Sequence, residues 1–289
     1  MKPANFQYFA PTTIDEALAL LAEHGDAAKV LAGGQSLTPM MNFRLVTPAI
    51  LVDLNRIVEL AYIRERDGGV AIGAMTRQRA VERNALIAQR APLVAETLPF
   101  VAHPQIRNRG TFGGSLAHAD PAAELPAVAI ALNAKFKVKS QKRERWADAS
   151  DFFTGLFSTV LAPEELLTEI ILPPLPARAG YAFQEVSRRH GDFALAGVAC
   201  ALTLDSKGAC ADARIVLLGL GVQPIDARGA AKQIIGAKPN ADAIRAVAEA
   251  VDAEIDPGSD IHASAEYRRH LAKVLTRRAL EKAVERVRD

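Results

Sequence analysis

Two consecutive glycines near the start of the chain follow a short apolar run, in the stretch LAGGQSL at residues 31–37. Because Gly33 and Gly34 lack Cβ atoms, their backbone can take positive φ and a ligand can approach their N–H groups. Gln35 and Ser36 each add a side-chain donor, and Ser36 is placed to cap the helix predicted next. A glycine turn between a strand and a helix favours an anion, since free N–H groups and the positive end of the helix dipole meet there. The alternative is a tight turn with a helix cap and no ligand.

The same residue types recur in the stretch TFGGS at residues 111–115, where two hydroxyls flank a glycine pair before another predicted helix. Two turns of this kind suit a diphosphate held from two sides. Neither turn is the dinucleotide fingerprint GxGxxG, and neither carries the lysine of a P-loop. A GLG at residues 219–221 follows an apolar strand but runs on into Val-Gln-Pro, so we interpret it as a strand end.

The remaining polar residues form no recognisable catalytic set. No histidine has metal-ligand spacing, and no Ser/His/Asp set can be argued from the sequence. Cys200 and Cys210 are too few to ligate an iron–sulfur cluster by themselves, and no CxxC motif is present. His103, Arg107 and Arg109 lie just before the second turn, where they could attract phosphate, although a solvated basic face is the commoner role. We therefore predict no catalytic residue and no metal site.

The elements around the two turns follow from periodicity and cap signals. Thr13 and Glu16 form a capping-box pattern at the start of a helix. Asp67 and Gly68 are typical of a hairpin turn, while Thr76 is placed to cap a short helix and Asp120 a longer one. The predicted strands are residues 6–9, 28–30, 50–54, 62–66, 69–72, 136–139, 143–146 and 166–172, and the predicted helices are residues 14–23, 37–45, 85–101 and 121–132.

Prolines at positions 173, 174 and 176 break the chain, and we predict a domain boundary there. Beyond them, strands are predicted at residues 181–188, 194–204 and 211–218, and helices at residues 226–235, 241–253 and 263–287. Strands followed by helices are typical of an α+β fold. The predicted domains are residues 1–176, divided into lobes of roughly 1–56 and 57–176, and residues 177–289.

The composition is ordinary for a soluble globular protein, with 289 residues, 49% hydrophobic and 24% charged. A formal net charge of +2 argues against a dedicated nucleic-acid surface. No apolar run is long enough to span a bilayer, and the start MKPANFQYFAP lacks the apolar core of a signal peptide. We therefore expect a cytoplasmic protein with reduced thiols, no nucleic-acid partner and no membrane-spanning segment.

Three stretches together resemble a known family. They are AGGQSL at residues 32–37, QIRNRGTFGGSLAHADPAAELPA at residues 105–127 and SRRHGDFALAGVA at residues 187–199. They are similar to the medium, FAD-binding subunit of molybdenum hydroxylases, the flavoprotein of the aerobic carbon monoxide dehydrogenase and xanthine dehydrogenase family. The resemblance covers the whole chain in order. Phe112 stands where the family usually has isoleucine, which leaves the glycine pair intact.

The resemblance implies FAD as the cofactor and assigns residues to it. The two glycine turns would hold the diphosphate, mainly through backbone N–H groups, and Glu124 would meet the ribose side. The alternative for Glu124 is an acidic residue at a helix N-terminus, favoured there by the helix dipole. Leu167 and Gln184 match positions that flank the flavin ring and ribityl chain, although some relatives carry lysine where this chain has Gln184. Phe193 matches an aromatic residue near the isoalloxazine, and the alternative is a core aromatic at the start of a strand. The predicted FAD-binding residues are Leu31, Ala32, Gly33, Gly34, Gln35, Ser36, Leu37, Thr111, Gly113, Gly114, Ser115, Glu124, Leu167, Gln184 and Phe193.

The resemblance also implies a fold and a path for electrons. The fold would be α+β, with a PCMH-type FAD-binding domain of two α/β lobes before a C-terminal domain of a three-stranded antiparallel sheet plus a helical bundle. In the family, a large molybdopterin subunit oxidises the substrate and a small subunit carries electrons through [2Fe–2S] clusters. The flavin then passes them to NAD, oxygen or another acceptor.

The implied assembly is a dimer of heterotrimers, in which this chain is an electron-transferring oxidoreductase subunit. Two alternatives remain open. One is a self-sufficient flavin oxidase or dehydrogenase that acts on its own small substrate, and the other is a nucleotide-binding module without a redox role.

Overall fold

The computed structural model describes residues 1–287. In chain order its strands are β1 Gln7–Phe9, β2 Ala28–Leu31, β3 Ile50–Asp53, β4 Ile63–Arg66, β5 Gly69–Gly73, β6 Lys135–Lys139, β7 Glu144–Asp148, β8 Phe153–Gly155, β9 Ser158–Thr159, β10 Leu166–Leu172, β11 Ala179–Ser187, β12 Ala194–Leu204, β13 Cys210–Leu218 and β14 Ile225–Asp226. Its helices are α1 Ile14–His24, α2 Leu37–Asn42, α3 Gln78–Glu82, α4 Ala85–Arg90, α5 Pro92–Thr97, α6 Pro104–Arg109, α7 Phe112–His118, α8 Glu124–Ala131, α9 Ala149–Phe152, α10 Arg228–Lys232, α11 Ala241–Ala250 and α12 Ala265–Glu285.

A three-stranded parallel sheet, ordered β1-β3-β2, positions the first glycine turn. β3 is buried along its length, and α1 covers the sheet with Leu18 and Leu21. The predicted capping box of Thr13 and Glu16 is present and starts α1. Since β2 ends at Leu31, the turn lies at the carboxyl end of a parallel strand, where ligands commonly bind in open α/β sheets.

The second glycine turn lies against a five-stranded antiparallel sheet, ordered β4-β5-β10-β6-β7. The predicted hairpin between β4 and β5 is present, and Asp67 and Gly68 both have positive φ, as its tight turn requires. Helix α7, which begins at the second glycine turn, packs on β5 and β10. Every residue of α8 is buried in the core beside this sheet.

The C-terminal sheet is antiparallel and ordered β11-β12-β13-β14. It contains the three predicted strands and one addition, the two-residue edge strand β14. One face is covered by α10 and α12, with α11 packed on both helices, and the other, which carries Phe183 and Val216, joins the core that contains α8. No helix among residues 1–287 combines the length and apolar character that crossing a bilayer requires.

The helix predicted over residues 85–101 is wrong as a single element. Ala91 has φ −136° and ψ 56°, which ends α4, and Pro92 starts α5 after it. A residue before proline is disfavoured in the helical region, so the break follows from local sterics. A 3₁₀ turn at Leu98–Phe100 completes the segment.

Three predicted caps are also wrong. Ser36 makes no capping hydrogen bond, and α2 ends at Asn42 rather than at residue 45. The Thr76 hydroxyl bonds to the backbone of Tyr62 instead of capping α3. Asp120 accepts from the Ala122 N–H, so it stabilises a turn before α8, and the helix begins at Glu124 rather than at residue 121.

Candidate functional site

The two glycine turns, distant in sequence, touch each other in the structure. A Cβ atom built on Gly33 would lie 2.5 Å from the carbonyl oxygen of Arg109 and 2.7 Å from the Cα of Gly110. A Cβ on Gly114 would lie 3.2 Å from the Cβ of Ala32. The absent side chains therefore let the two backbones meet, and the structure forms a single site from both turns.

The first turn presents a row of free backbone donors. Within residues 1–287, the N–H groups of Gly33, Gly34, Gln35 and Ser36 donate to no oxygen of the chain. Gly34 takes φ 71°, and Gln35 closes the turn through a 2.9 Å bond from its side-chain amide to the Gly33 carbonyl oxygen. Consecutive N–H groups in such a turn make a concavity that binds anions. We call these four groups the anion nest.

Unlike those of the first turn, the glycine N–H groups of the second turn are hydrogen-bonded within the chain. Gly113 donates its N–H to the Ala74 carbonyl oxygen at 2.9 Å, and Gly114 donates to the Thr111 hydroxyl at 3.0 Å. These bonds anchor the turn at the end of β5, so its glycine N–H groups are not free for a diphosphate. Its remaining polar group is the Ser115 hydroxyl, which makes no hydrogen bond within the described residues.

Two residues not identified from the sequence join the turns. The Arg77 guanidinium donates to the carbonyl oxygen of Arg109, beside the second turn, and to Asn55 Oδ1 at 2.6 Å. Asn55 Nδ2 in turn donates to the Ala32 carbonyl oxygen at 2.8 Å. This Arg77–Asn55 clamp also puts a positive charge beside the nest. No motif or spacing marks it, because its members come from separate segments that only the fold brings together.

Glu124 is the first residue of α8 and is only 7% exposed. Burial raises the pKa of its carboxyl to about 7, although a hydrogen bond from its own backbone N–H opposes this; Asp120 raises the pKa further and Arg107 lowers it. Helix α7, which begins at the second glycine turn, packs against α8. A carboxyl with such a pKa exchanges its proton near neutral pH.

The remaining predicted FAD-binding residues differ in their burial and in the part of the fold they occupy. Leu167 is a buried residue of β10, in the core that also contains α7. Gln184 lies on β11 on the same face as Ala182, which packs toward the C-terminal helices, whereas Phe183 and Glu185 occupy the opposite face. Phe193 is 70% exposed in the loop before β12. The structure thus places Leu167 in the same core as the second turn's helix, Gln184 on the helix-covered face of the C-terminal sheet and Phe193 in an exposed loop.

The site fits a phosphate-bearing group. Its free groups are the backbone N–H donors of the nest and the Ser115 hydroxyl, and with the positive charge of Arg77 in the clamp they favour an anion. No group of three or more His, Cys, Asp or Glu side chains within residues 1–287 is arranged to hold a metal ion.

Two family models cover most of the chain. Residues 4–175 match the FAD binding domain in molybdopterin dehydrogenase. Residues 181–283 match the CO dehydrogenase flavoprotein C-terminal domain.

Individual relatives match over their whole lengths. The chain is 44% identical over 288 residues to the 6-hydroxypseudooxynicotine dehydrogenase complex subunit alpha of Paenarthrobacter nicotinovorans, covering 100% of this chain and 97% of that protein. It is 41% identical over 292 residues to the carbon monoxide dehydrogenase medium chain of Afipia carboxidovorans, with 100% of both covered. A solved carbon monoxide dehydrogenase chain from Hydrogenophaga pseudoflava superposes with a TM-score of 0.97 at 38% identity, covering 100% of each chain. The chain therefore belongs to the FAD-binding medium subunits of the carbon monoxide dehydrogenase and xanthine dehydrogenase family, and it is the FAD flavoprotein subunit of an oxidoreductase.

Proposed function

We propose that the chain is the electron-transfer subunit of a multi-subunit molybdenum hydroxylase. It takes electrons from the [2Fe–2S] clusters of a small partner subunit and passes them to an external acceptor, while a large molybdopterin subunit oxidises the substrate. The complex is a dimer of heterotrimers in the cytoplasm. The observation that carries this proposal is the free anion nest at residues 33–36, which lies against the second glycine turn.

The relatives support an assembly with molybdenum. Two carbon monoxide dehydrogenase relatives are named as medium chains, and another relative is named as a subunit of a dehydrogenase complex. A Cu,Mo-CO dehydrogenase chain superposes on this one with a TM-score of 0.95 at 39% identity. A chain so similar over its full length fits the same place in such a complex.

Each part of the site has a proposed task toward FAD. The nest donates to the diphosphate, and the Ser115 hydroxyl adds a donor from the second turn. Glu124 accepts from the ribose side, and the family resemblance assigns Leu167, Gln184 and Phe193 to the flavin. When bound, FAD supplies the two-electron redox chemistry, and the chain binds and orients it. Residues 1–176 form the FAD-binding domain, with lobes at roughly 1–56 and 57–176, and residues 177–289 form the C-terminal domain.

The test compares the chain alone with the complete complex. We expect the purified chain to contain FAD without iron or molybdenum, and its flavin absorbance to stay unchanged on rapid mixing with carbon monoxide or 6-hydroxypseudooxynicotine, compounds taken from the relatives' names. If one of these compounds is the substrate, it should bleach the flavin in the complex. Dithionite, a chemical reductant, should bleach both samples and serves as the control.

Two results would contradict the proposal. Substrate-driven reduction of flavin in the lone, metal-free chain would favour the self-sufficient flavin oxidase. Failure to retain FAD after reconstitution would favour a nucleotide-binding module without a redox role.

A further inference from the structure

The carbonyl oxygens of the first glycine turn are hydrogen-bonded, in contrast to its free N–H groups. Three successive oxygens each accept one bond: that of Ala32 from Asn55 Nδ2 at 2.8 Å, that of Gly33 from Gln35 Nε2 at 2.9 Å and that of Gly34 from the Thr38 N–H at 3.1 Å. No cis peptide bond is present among residues 1–287, and in a trans peptide the C=O and the following N–H point in opposite directions. The three bonds therefore fix the directions of the N–H groups at positions 33, 34 and 35.

The Asn55 side chain has only one orientation that satisfies its neighbours. Its Nδ2 donates to the Ala32 carbonyl oxygen and to Oδ1 of Asp53, while its Oδ1 accepts from the Arg77 guanidinium at 2.6 Å. Exchanging the amide oxygen and nitrogen would place an oxygen against two acceptors and a nitrogen against the donor of Arg77. The Asn55 amide therefore donates to the Ala32 carbonyl oxygen in every satisfied arrangement.

Asp53 holds Asn55 in this orientation. Its side chain is only 9% exposed at the end of β3, the central strand of the parallel sheet. Oδ1 accepts from the Asn55 backbone N–H at 2.9 Å as well as from its amide, and Oδ2 accepts from the Tyr8 hydroxyl of β1 at 2.5 Å. The carboxylate thus ties Asn55 to two strands of the sheet, and through Asn55 it reaches the peptide that begins the nest.

We propose that Asn55 and Gln35 are positioning residues that aim the first two N–H groups of the nest at the FAD diphosphate, and that Asp53 holds Asn55 in the orientation this requires. The inference rests on the proposed assignment of the nest to the diphosphate. Donors whose directions are fixed before binding lose little freedom when the anion arrives, which favours affinity. Gln35 acts here through the Gly33 carbonyl oxygen, to which its side-chain amide is bonded.

The first experiment follows the three donors one by one in the FAD-free full-length chain. Inorganic pyrophosphate is the probe, and proton–nitrogen correlation spectra record the amide protons at positions 33, 34 and 35. All three should shift in the unmodified chain, because each donates to the anion. Asn55→Ala should lose the shift at position 33, and Gln35→Ala should lose the shift at position 34.

The N–H at position 35 is an internal reference, since the carbonyl oxygen before it is held by the backbone of Thr38. Its shift should persist in both variants. A role limited to general stability would weaken all three shifts together. Equal loss at the three positions, or unchanged shifts in Asn55→Ala, would overturn the proposal.

Variants of Asp53 test the link to Asn55. Asp53→Leu removes every acceptor and should reproduce the selective loss at position 33. Asp53→Asn keeps an oxygen that can accept from Asn55, so it should restore that shift. Asp256→Ala is the control, because Asp256 is exposed, and its spectra should match those of the unmodified chain. A normal shift at position 33 in Asp53→Leu would overturn the role of Asp53.

The second experiment measures FAD itself. Loss of one aimed donor in Asn55→Ala should raise the Kd for FAD, followed by flavin fluorescence, by about tenfold to a hundredfold. The phosphorus NMR resonances of bound FAD should move, while its visible absorption bands should stay in place because the flavin ring keeps its surroundings. An unchanged Kd with unmoved phosphorus resonances would overturn the proposal.

The two experiments separate this inference from the proposed function. If pyrophosphate shifts none of the three amide protons in the unmodified chain, the inference fails, while FAD retention and electron transfer in the complex still test the proposed function. If the chain retains no FAD, the proposed function fails, while the pyrophosphate spectra still report which donors are aimed.

Discussion

At the level of single residues, Gly33 and Gly34 have different roles, although the sequence predicts that both clear space for a ligand. The structure shows that Gly33 clears space for the second turn, since its Cβ would meet the backbone of Arg109 and Gly110. Gly34 instead supplies the positive φ of the nest, and a Cβ there would lie 3.0 Å from Thr38 Oγ1. A substitution at Gly34 would therefore combine backbone strain with any effect on the ligand.

The cleaner test is Gly33→Ala. The added methyl group would push the two turns apart, because its neighbours are backbone atoms that cannot rotate away. If two charge-assisted hydrogen bonds to the diphosphate are lost, at about 1.5–3 kcal/mol each, the affinity for FAD should fall by about 100-fold or more. Gly258→Ala is the matched control, since a Cβ there meets nothing within 4 Å. Normal FAD affinity in Gly33→Ala would show that contact between the turns is unnecessary.

The Arg77–Asn55 clamp leads to a second prediction at this scale. Arg77→Gln removes the charged bonds that join the Asn55 side chain to the Arg109 carbonyl oxygen. We expect weaker FAD binding by about 1.5–3 kcal/mol, measured by isothermal titration, because hydrogen bonds of charged groups contribute about that much. Arg83→Gln, on the exposed surface after α3, should bind FAD normally. Equal affinities of the two variants would count against the clamp.

At the scale of elements, Glu165 ties the hairpin of β6 and β7 to β10. The Arg145 side chain donates to its two carboxylate oxygens at 2.9 and 2.6 Å, and the Ala162 N–H donates at 3.1 Å. These bonds lower the pKa of the buried Glu165 to about 2, with the Arg145 hydrogen bond as the largest cause and burial opposing it. The carboxylate is thus stabilised by folding.

Because folding lowers this pKa, the free energy of unfolding should decrease as the solution becomes acidic. The ordinary pKa is 4.5 and the folded one is about 2, so the stabilisation is complete above pH 4.5 and is lost as the pH falls toward 2. Glu165→Gln should lower the free energy of unfolding at neutral pH by on the order of 2–3 kcal/mol and flatten the profile in that window. Urea unfolding at several pH values measures this. The exposed neighbour variant Glu164→Gln should keep the original profile, and an acid limb that persists in Glu165→Gln would refute the assignment.

At the scale of the whole molecule, the C-terminal sheet is packed on both faces. Its Phe183 face joins the core of the FAD-binding segment, and its other face is covered by α12. Gly180 on β11 lies against that helix, because a Cβ there would collide with the carbonyl oxygen of Ala283. The sheet therefore links α12 mechanically to the segment that holds the nest.

Gly180→Ala should lower the thermal stability of the chain by disturbing this contact. The methyl group forces α12 away from β11, and overpacking of this kind typically costs about 1–3 kcal/mol. We expect a lower midpoint of thermal unfolding, and Gly258→Ala, where the added methyl group meets open space, should match the unmodified chain. An unchanged midpoint in Gly180→Ala would show that α12 moves away from β11 without loss of stability.

The sequence by itself determined the features that depend on near neighbours. The capping box at Thr13, the tight turn at Asp67 and Gly68 and the three main strands of the C-terminal sheet are all predicted correctly. Periodicity and turn chemistry depend on residues only a few positions apart, so they can be recognised in a single sequence. The two glycine turns, with the family they resemble, likewise indicate FAD from the sequence alone, and the matching FAD-binding family model confirms that cofactor.

Only the tertiary structure decided which distant atoms meet. The contact of Gly33 with Gly110 and the Arg77–Asn55 clamp join residues far apart in the chain. Which N–H groups remain free was decided in the same way, because the second turn bonds to the end of β5 and the first does not. Such contacts depend on sheet order and on which face of a strand is buried, and a shift by one residue moves a side chain to the other face.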